Sequence, residues 1–206
     1  MNFDKLDENP QPVDFLEKID PAPRGKMKLA MVGNFVRGRA QNSVCQFLHL
    51  LHQEEIPFDF FFVGKKDEKE PWRYDDCLAF CRQHGLQKQV HFVGSRKDVP
   101  QILQQIDAFV YASDHDTFGI AVVEAIAAGV PTFVNDWDVM REITHDGEWA
   151  MLYRTNDPHD LLRVFLDYVK NRDIVKQKAK KNASHVRECY SIQQHLRQLY
   201  HVYCQL

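Results

Sequence analysis

An acidic loop that leads into an almost wholly apolar segment is the part of this sequence best suited to chemistry. The loop 113–119 contains Asp116, and the apolar segment that follows it contains one charged residue, Glu124. A helix that is apolar on all sides is normally buried, and burying an unpartnered carboxylate costs on the order of several kcal/mol. We therefore expect Glu124 to reach a partner, solvent or a ligand hydroxyl.

The start of this predicted helix is suited to binding an anion. Gly119 allows close approach of the backbone, and the free N–H groups at a helix start attract negative charge. Asp116 lies just before that start and eight residues before Glu124, which is about two helical turns. Two structural alternatives stay open here: Asp116 as a plain helix cap, and Glu124 as half of an ion pair or as an exposed residue.

A second candidate loop, 33–42, follows the first predicted strand. It contains Gly33, Asn34, Arg37 and Arg39. Glycine permits a ligand to approach the backbone, and arginine is suited to phosphate. The dinucleotide fingerprint Gly-x-Gly-x-x-Gly is absent, and a surface loop with solvated arginines is the alternative interpretation.

A third candidate loop, 94–98, follows the third predicted strand. It begins with Gly94, Ser95 and Arg96 and ends with Asp98. Asp98 is able to cap the helix that follows, whereas a second interpretation places the loop beside a nucleotide base. The sequence leaves both interpretations open.

The elements that position these loops are predicted by hydrophobic periodicity. Apolar runs of strand length alternate with helix-length segments, and most of the runs lack the alternation of a strand with one solvated face. Strands are predicted at 29–32, 58–63, 90–93, 108–112, 132–134 and 150–153, and helices near 41–53, 73–84, 99–105, 118–128, 138–144, 158–170, 173–187 and 191–203. This order predicts an α/β fold, namely a three-layer α/β/α Rossmann-like domain with a six-stranded parallel sheet and a helical C-terminal appendage. Ligands of such a sheet bind at the carboxyl ends of its strands.

Composition limits the partners and the compartment. The 206 residues include 26 Lys and Arg and 29 Asp and Glu, so that nucleic acid is not an expected partner. The five scattered cysteines favour reduced thiols and a cytoplasmic location, and neither a signal peptide nor an apolar run of about 18 residues is seen. Residues 1–27, which contain four prolines, are predicted to be a linker or entry segment, and residues 28–206 to form the domain.

The acidic loop and the helix after it together resemble the signature of the retaining glycosyltransferases of family 4, which have the GT-B fold. That signature runs Glu-x-Phe-Gly, then a small and apolar stretch, then Glu-Ala-x-Ala-x-Gly-x-Pro. Here it reads Asp116-Thr117-Phe118-Gly119 and then Glu124-Ala125-Ile126-Ala127-Ala128-Gly129-Val130-Pro131. Further pieces that fit are Val32-Gly33, parts of 94–113 and Arg141-Glu142-Ile143, so that the resemblance covers most of residues 28–170.

The resemblance implies the C-terminal, donor-binding domain of such an enzyme. By position in the signature, Glu124 would hold the ribose hydroxyls of the donor nucleotide, and Asp116 would be the catalytic-site residue that meets the donor sugar. The other implied donor-binding positions are the N–H groups of the helix start, the loop beside the base and the first-strand loop: Phe118, Gly119 and Ile120; Gly94, Ser95 and Arg96; Gly33, Asn34, Arg37 and Arg39.

The chain departs from the family pattern in its first-strand loop and at the first glutamate. The family usually has Arg directly after the first-strand glycine, where this chain has Asn34, and then a Lys, for which Arg37 and Arg39 are the nearest candidates. The first glutamate of the signature is shortened to Asp116, which moves the carboxylate by about 1.5 Å, one bond length. Misplacement on that scale can change a rate about a hundredfold.

The sequence thus predicts a parent protein that transfers a sugar from a nucleoside-diphosphate donor with retention of configuration, without a cofactor or a metal. The Asp-x-Asp at 114–116 is interpreted as coincidental. The predicted partners are the nucleotide sugar and an N-terminal acceptor-binding domain or separate subunit, through which family members often contact the membrane. The alternatives are a non-catalytic nucleotide-sugar-binding module or subunit, and a GT-B relative such as an epimerase or a phosphorylase.

Overall fold

The apolar runs of the sequence form the strands of one parallel sheet. The computed structural model describes residues 1–9, 11–14 and 26–205. The strands are β1 (Met27–Val32), β2 (Phe58–Val63), β3 (Val90–Gly94), β4 (Ala108–Tyr111), β5 (Thr132–Asn135) and β6 (Met151–Tyr153). They are all parallel, in the order β3-β2-β1-β4-β5-β6, which confirms the predicted six-stranded parallel sheet.

Helices connect the strands and form the C-terminal part of the chain. They are α1 (Gln41–Gln53), α2 (Trp72–Gln83), α3 (Val99–Gln105), α4 (Ile120–Ala127), α5 (Asp138–Ile143), α6 (Pro158–Lys170), α7 (Arg172–Cys189) and α8 (Ile192–Tyr203). α1 packs against α2 and α6, and α4 packs against α7. The Rossmann-like α/β fold and the helical C-terminal appendage are therefore confirmed. In the described part of the chain, no helix is long and apolar enough to cross a membrane.

Burial of the central strands explains why the sheet needs helices on both faces. Every residue of β2 is buried, including Phe60, Phe61 and Phe62 in succession. Because successive side chains of a strand point to opposite faces, such a strand is stable only between two apolar layers. The one acidic residue of β2, Asp59, is buried at the opposite end from the ligand-binding edge, where it pairs with Lys26 and His91.

The first residues of the chain lie against the domain, beside the junction between α7 and α8. The ammonium group of Met1 donates to the carbonyl of Tyr190, and the N–H of Ile192 donates to the carbonyl of Met1 at 3.1 Å. Phe3 and Val13 are buried. The predicted linker 1–27 thus includes residues 1–9 and 11–14, which pack on the domain; Pro10 and residues 15–25 lie outside the described residues, and β1 begins at Met27.

The ends of β1 and β2 approach each other so closely that one glycine has no room for a side chain. A Cβ built on Gly64 would lie 2.1 Å from the carbonyl oxygen of Gly33, which is backbone and has little freedom to move. A Cβ on Gly33 would instead meet the Arg39 side chain at 3.5 Å, an ordinary contact. The glycine after β2 is therefore required by packing.

We predict that Gly64→Ala lowers the free energy of unfolding by about 1–3 kcal/mol, the usual cost of overpacking. Gly33→Ala is the matched control and should cost much less, because its Cβ has ordinary van der Waals contacts. Urea unfolding of both variants measures the difference. Equal stability of Gly64→Ala and the unaltered chain would contradict the close approach of the two strand ends.

Candidate functional site

The loops after β1, β3 and β4 meet at the carboxyl edge of the sheet and enclose a crevice of about 470 Å³. That volume is within the usual range for a small-molecule site, about 300–1,000 Å³. The residues that line the crevice come from these loops, from the ends of β1, β2 and β4, from Gly64 after β2 and from the first two turns of α3 and α4: Val32, Gly33, Asn34, Arg39, Val63, Gly64, Ser95, Arg96, Val99, Tyr111, Asp116, Thr117, Phe118, Gly119, Ile120, Ala121 and Glu124.

Most of the predicted site residues are brought together there. Ten of them line the crevice, and two do not, Arg37 and Gly94. Arg37 is exposed on the turn that Gly38 closes with a left-handed backbone (φ 86°), and it does not line the crevice. Gly94 is the last residue of β3, where its carbonyl accepts the N–H of Gly64 at 2.9 Å.

Backbone hydrogen bonds hold the loop after β1 against the loop after β4. The N–H of Ala40 donates to the carbonyl of Ala112 at 3.1 Å, and the N–H of Asp114 donates to the carbonyl of Gly38 at 3.1 Å. Between these two bonds, Arg39 and Ser113 form an antiparallel bridge. This pairing fixes Arg39 on the crevice wall and explains why it, rather than Arg37, reaches the site.

The Asp116 carboxylate is held by four donors. Its Oδ1 accepts the N–H groups of Phe118 and Gly119 at 3.3 and 3.2 Å, and its Oδ2 accepts Arg39 Nη1 at 2.9 Å and the Tyr111 hydroxyl. Burial opposes ionisation of Asp116, but the hydrogen bond from Tyr111, the charge of Arg39 and the two N–H groups together lower its pKa. The carboxylate therefore stays ionised with only 9% of its side chain exposed.

The start of α4 keeps free N–H groups beside the crevice. Gly119 has a left-handed backbone (φ 73°), so the helix begins at Ile120 rather than at the predicted residue 118. The carbonyl of Gly119 accepts the N–H groups of Val122 and Val123. Among the described residues, the N–H groups of Ile120 and Ala121 have no partner, and both residues line the crevice. They offer an anion two aligned donors and the positive end of the helix.

Glu124 lies one turn further along α4 and faces the same crevice. Glu124 is half-buried, and its carboxylate has neither a hydrogen-bond nor an ion-pair partner among the described residues. Burial alone raises the pKa of its carboxyl group. Glu124 also borders a second cavity of about 380 Å³, whose other wall includes Phe3, Lys5 and Leu6. An unpaired carboxylate whose ionisation is opposed by burial is typical of a functional site.

The loop after β3 contributes Ser95 and Arg96 to the crevice wall. Arg96 binds Asp98 through two hydrogen bonds of 2.8 and 2.7 Å and reaches Asp14 at 2.9 Å. Asp98 occupies the cap position of α3, but its side chain makes no capping bond because Arg96 engages it. The cap interpretation of Asp98 is therefore wrong.

Three residues that support the site were not among the predicted site residues. Tyr111 was placed in a buried strand and in the family-like segment 94–113, although its hydroxyl binds Asp116. The buried amide of Asn135 holds the backbone of Ser113 from both sides, at 2.9 and 2.7 Å, and the Ser113 hydroxyl accepts Arg39 Nη1 at 3.1 Å. A polar residue at the end of a predicted buried strand was the only available signal for Asn135.

Metal ligands are not grouped in the described part of the chain, which contains no cluster of three or more His, Cys, Asp or Glu side chains suited to a metal ion. Cys45, Cys77 and Cys81 lie together in the core between α1 and α2, with Cys81 Sγ 3.9 Å from Cys45 Sγ. Of the two acidic residues of the loop 113–119, Asp116 is bound by donors of the protein and Asp114 is exposed.

The two carboxylates are expected to affect stability in opposite directions. Ionised Glu124 destabilises the fold, because its pKa is raised in the folded state; this cost appears as pH rises through its titration and is absent in acid. Glu124→Gln should therefore raise the unfolding midpoint at pH 7, with the gain disappearing toward pH 4.

Asp116→Asn should lower the free energy of unfolding by about 1–3 kcal/mol at pH 7, with the loss shrinking as pH falls.

Thermal unfolding of both variants between pH 4 and 7 measures these signs. A lower midpoint for Glu124→Gln at pH 7 would show that Glu124 has a stabilising partner. A neutral effect of Asp116→Asn would contradict the four-donor network.

Comparison with known proteins identifies the family. The model of the family described as glycosyl transferases group 1 matches residues 13–186. Phosphatidyl-myo-inositol mannosyltransferase of Mycobacterium leprae is 28% identical over 119 residues, which are 56% of this chain and 29% of the relative. The chain thus spans under a third of this relative's length.

Two solved structures have the same fold. HepE of Anabaena, in complex with UDP-glucose, superposes with a TM-score of 0.80 at 17% identity, over 88% of this chain and 49% of HepE. The C-terminal domain of LpcC, a group 1 family glycosyl transferase of Francisella tularensis, gives a TM-score of 0.72 at 17% identity, over 81% of this chain and 87% of that domain. Because the family model covers most of the chain, the resemblance seen in the sequence is confirmed: the chain belongs to the glycosyl transferases group 1 family and has the fold of the C-terminal half of its GT-B members.

Proposed function

We propose that this chain binds the nucleoside-diphosphate sugar for a retaining glycosyltransferase. The observation that carries the proposal is the half-buried, unpaired carboxylate of Glu124, which faces a crevice beside the free N–H groups of Ile120 and Ala121. A polyol next to a diphosphate suits this pair of features, because the carboxylate accepts hydroxyl hydrogen bonds and the helix start attracts the anion. The HepE structure, which holds UDP-glucose on the same fold, supports the same ligand class.

Each part of the donor has a proposed contact. Glu124 accepts the ribose hydroxyls, and the loop with Ser95 and Arg96 lies against the base. The diphosphate binds Arg39 and the start of α4, where donors fixed in advance stabilise the charge that develops on the leaving group. No cofactor and no metal is needed in this proposal, because the cation and the helix start supply the positive charge.

The assignment of Asp116 to the donor sugar stays a prediction. Both of its oxygens are engaged by donors of the protein itself. A sugar hydroxyl would therefore have to share an oxygen with Phe118 and Gly119 or displace one of these N–H groups.

A second domain or subunit is proposed to bind the acceptor. The chain spans under a third of the mannosyltransferase and about half of HepE. Large apolar side chains are exposed at the crevice mouth, where Phe118 and Ile120 are 39% and 58% exposed, and along α8, as at Leu196 and Tyr200. These surfaces suit a partner that closes over the donor.

The runner-up function is a nucleotide-sugar-binding module without transfer activity. Asn34 favours this second function. The family usually has Arg at this position, so a neutral amide replaces a cation in the loop after β1, and Asn34 Oδ1 already accepts the N–H of Lys65 at 3.0 Å. Transfer assays of the full-length protein separate the two functions. Loss of transfer in Glu124→Ala supports the enzyme, whereas unchanged cellular activity supports the module.

Calorimetric titration with UDP, GDP and ADP tests the donor site directly. We expect millimolar or tighter binding of at least one of them, and Glu124→Ala should weaken it about tenfold to a hundredfold, the value of hydrogen bonds to a charged group. Glu54→Ala is the matched control, because Glu54 is exposed at the end of α1. Absence of binding of all three nucleotides at millimolar concentration would contradict the proposal.

The ribose assignment has its own comparison. A 2′,3′-dideoxynucleoside diphosphate with the base that binds best lacks the hydroxyls that Glu124 is proposed to hold. Its affinity should be the same for the unaltered chain and for Glu124→Ala. If Glu124→Ala weakened the binding of the nucleoside diphosphate and of its dideoxy analogue equally, Glu124 would act by maintaining the structure of the crevice and not by binding the ribose.

Metal independence is a separate prediction. Because the proposed diphosphate contacts are a guanidinium group and backbone N–H groups, the affinity for UDP should stay within about twofold when Mg²⁺ or Mn²⁺ is replaced by EDTA. Calorimetry under both conditions measures this. A large gain in affinity with Mg²⁺ or Mn²⁺ would assign a role to the acidic loop that contains Asp114.

A further inference from the structure

Only part of the Arg39 guanidinium group is hydrogen-bonded to the protein. Its Nη1 donates to the Ser113 hydroxyl at 3.1 Å and to Asp116 Oδ2 at 2.9 Å, which uses both hydrogens of that nitrogen. The other two nitrogens, Nε and Nη2, have no partner among the described residues. A Cβ built on Gly33 would lie 3.5 Å from Nε, so this unpaired edge runs along a crevice-lining residue.

The edge formed by Nε and Nη2 is the fork that binds carboxylate and phosphate through two parallel hydrogen bonds. A free arginine side chain would have to give up about 2 kcal/mol of rotamer entropy to present that fork. Here the contacts of Nη1 restrict the guanidinium before any ligand is present. The orientation of the fork therefore depends on the groups that hold the Asp116 carboxylate.

Of the two side chains that hold Asp116, Tyr111 is the more deeply buried. It is the last residue of β4 and is only 1% exposed, so the sheet fixes its ring. Its hydroxyl donates to Oδ2, the same oxygen that accepts Arg39, and the guanidinium carbon lies 5.2 Å from the centre of its ring. The other donors to Asp116 are backbone N–H groups of its own loop, at 3.3 and 3.2 Å.

We propose that Tyr111 is a positioning residue for donor binding: its hydroxyl anchors Asp116, and Asp116 in turn orients the Nε–Nη2 fork of Arg39 toward the diphosphate. This inference rests on the proposed function for the identity of the anion. It makes Asp116 a support for Arg39 before any sugar is bound. It also gives the tyrosine hydroxyl a role beyond packing, since a phenylalanine would fill the same space in the strand.

The test is Tyr111→Phe, which keeps the ring and removes the hydroxyl. UDP affinity should fall about fivefold to tenfold, less than the full value of a hydrogen bond to a charged group because the effect reaches the ligand through Asp116 and Arg39. The affinity for uridine, which has no phosphate, should not change. Tyr168→Phe is the matched control. The Tyr168 hydroxyl donates to the carbonyl of Asp107, the residue before β4 begins, at the end of the strand away from the crevice. Removing this hydroxyl should leave the ratio of UDP to uridine affinity unaltered.

A second measurement needs no ligand. Carboxyl-carbon NMR titration should show a higher pKa for Asp116 in Tyr111→Phe than in the unaltered chain, because the tyrosine hydrogen bond lowers it, and no change in Tyr168→Phe. This separates the two proposals, since it reports on the Tyr111–Asp116 pair even if no nucleotide binds. Should Tyr111→Phe not fold, Asp116→Asn, which leaves Arg39 without a charged partner, must show the same selective loss of UDP affinity.

Two results would overturn the inference. An unchanged Asp116 titration in Tyr111→Phe would show that the hydroxyl does not hold the carboxylate. An equal loss of UDP and uridine affinity would show a general disturbance of the crevice and no specific effect on the Arg39 fork.

Discussion

The crevice depends on the position in the sheet at which the chain reverses its direction of winding. β2 and β3 lie on one side of β1, and β4, β5 and β6 lie on the other. The connections that leave β1 and β4 therefore cross the sheet in opposite directions, which opens a gap between two neighbouring strand ends. Hydrogen bonds between Ala40 and Ala112 and between Asp114 and Gly38 limit the width of that gap. Apart from Ser95 and Arg96, which follow β3, the binding groups of the site are placed by these two loops or by the helix that follows the second.

The same reversal explains why one arginine and one tyrosine meet across 72 positions of sequence. Arg39 lies in the loop after β1 and Tyr111 ends β4, its neighbour in the sheet. Asp116 folds back from the following loop and takes both as donors while it holds the N–H groups that precede α4. One carboxylate thus links β4, the first loop and the helix start, and their geometry is set before a ligand arrives.

The sheet and its helices could be predicted from the sequence because burial determines them. The strand at 58–63 was predicted with its observed ends, and the other strands differ by one or two residues at an end, since apolar runs mark a strand better than its limits. The single charge in an apolar helix marked Glu124 as unusual, and the family resemblance then implied its place at the donor; the structure puts it in the crevice wall. The start of α4 was predicted two residues early because the sequence does not show that Gly119 has a left-handed backbone.

Side-chain partners across the sheet edge could not be predicted in this way. Arg37 and Arg39 are two positions apart in an irregular loop, where no periodicity indicates which one faces the crevice; the bridge to Ser113 decides it. Asp98 was equally able to cap α3 or to accept Arg96, and the two-point geometry of the arginine prevailed. Tyr111 belongs to an apolar run. The pattern of that run indicates that Tyr111 is buried, but it gives no information on the partner of the hydroxyl.

The two carboxylates on either side of the start of α4 show how stability and binding are divided in this domain. Asp116 has four donors, and its pKa is lowered, so its charge contributes to the folded state. Glu124, one turn inside the helix, has none among the described residues, and burial raises its pKa. A chain selected for stability alone would replace Glu124 by a neutral side chain, since nothing in the described structure compensates its charge. Its presence fits the proposed donor site, in which a ligand supplies the missing hydrogen bonds and Asp116 orients the cationic wall toward the anionic part of that ligand.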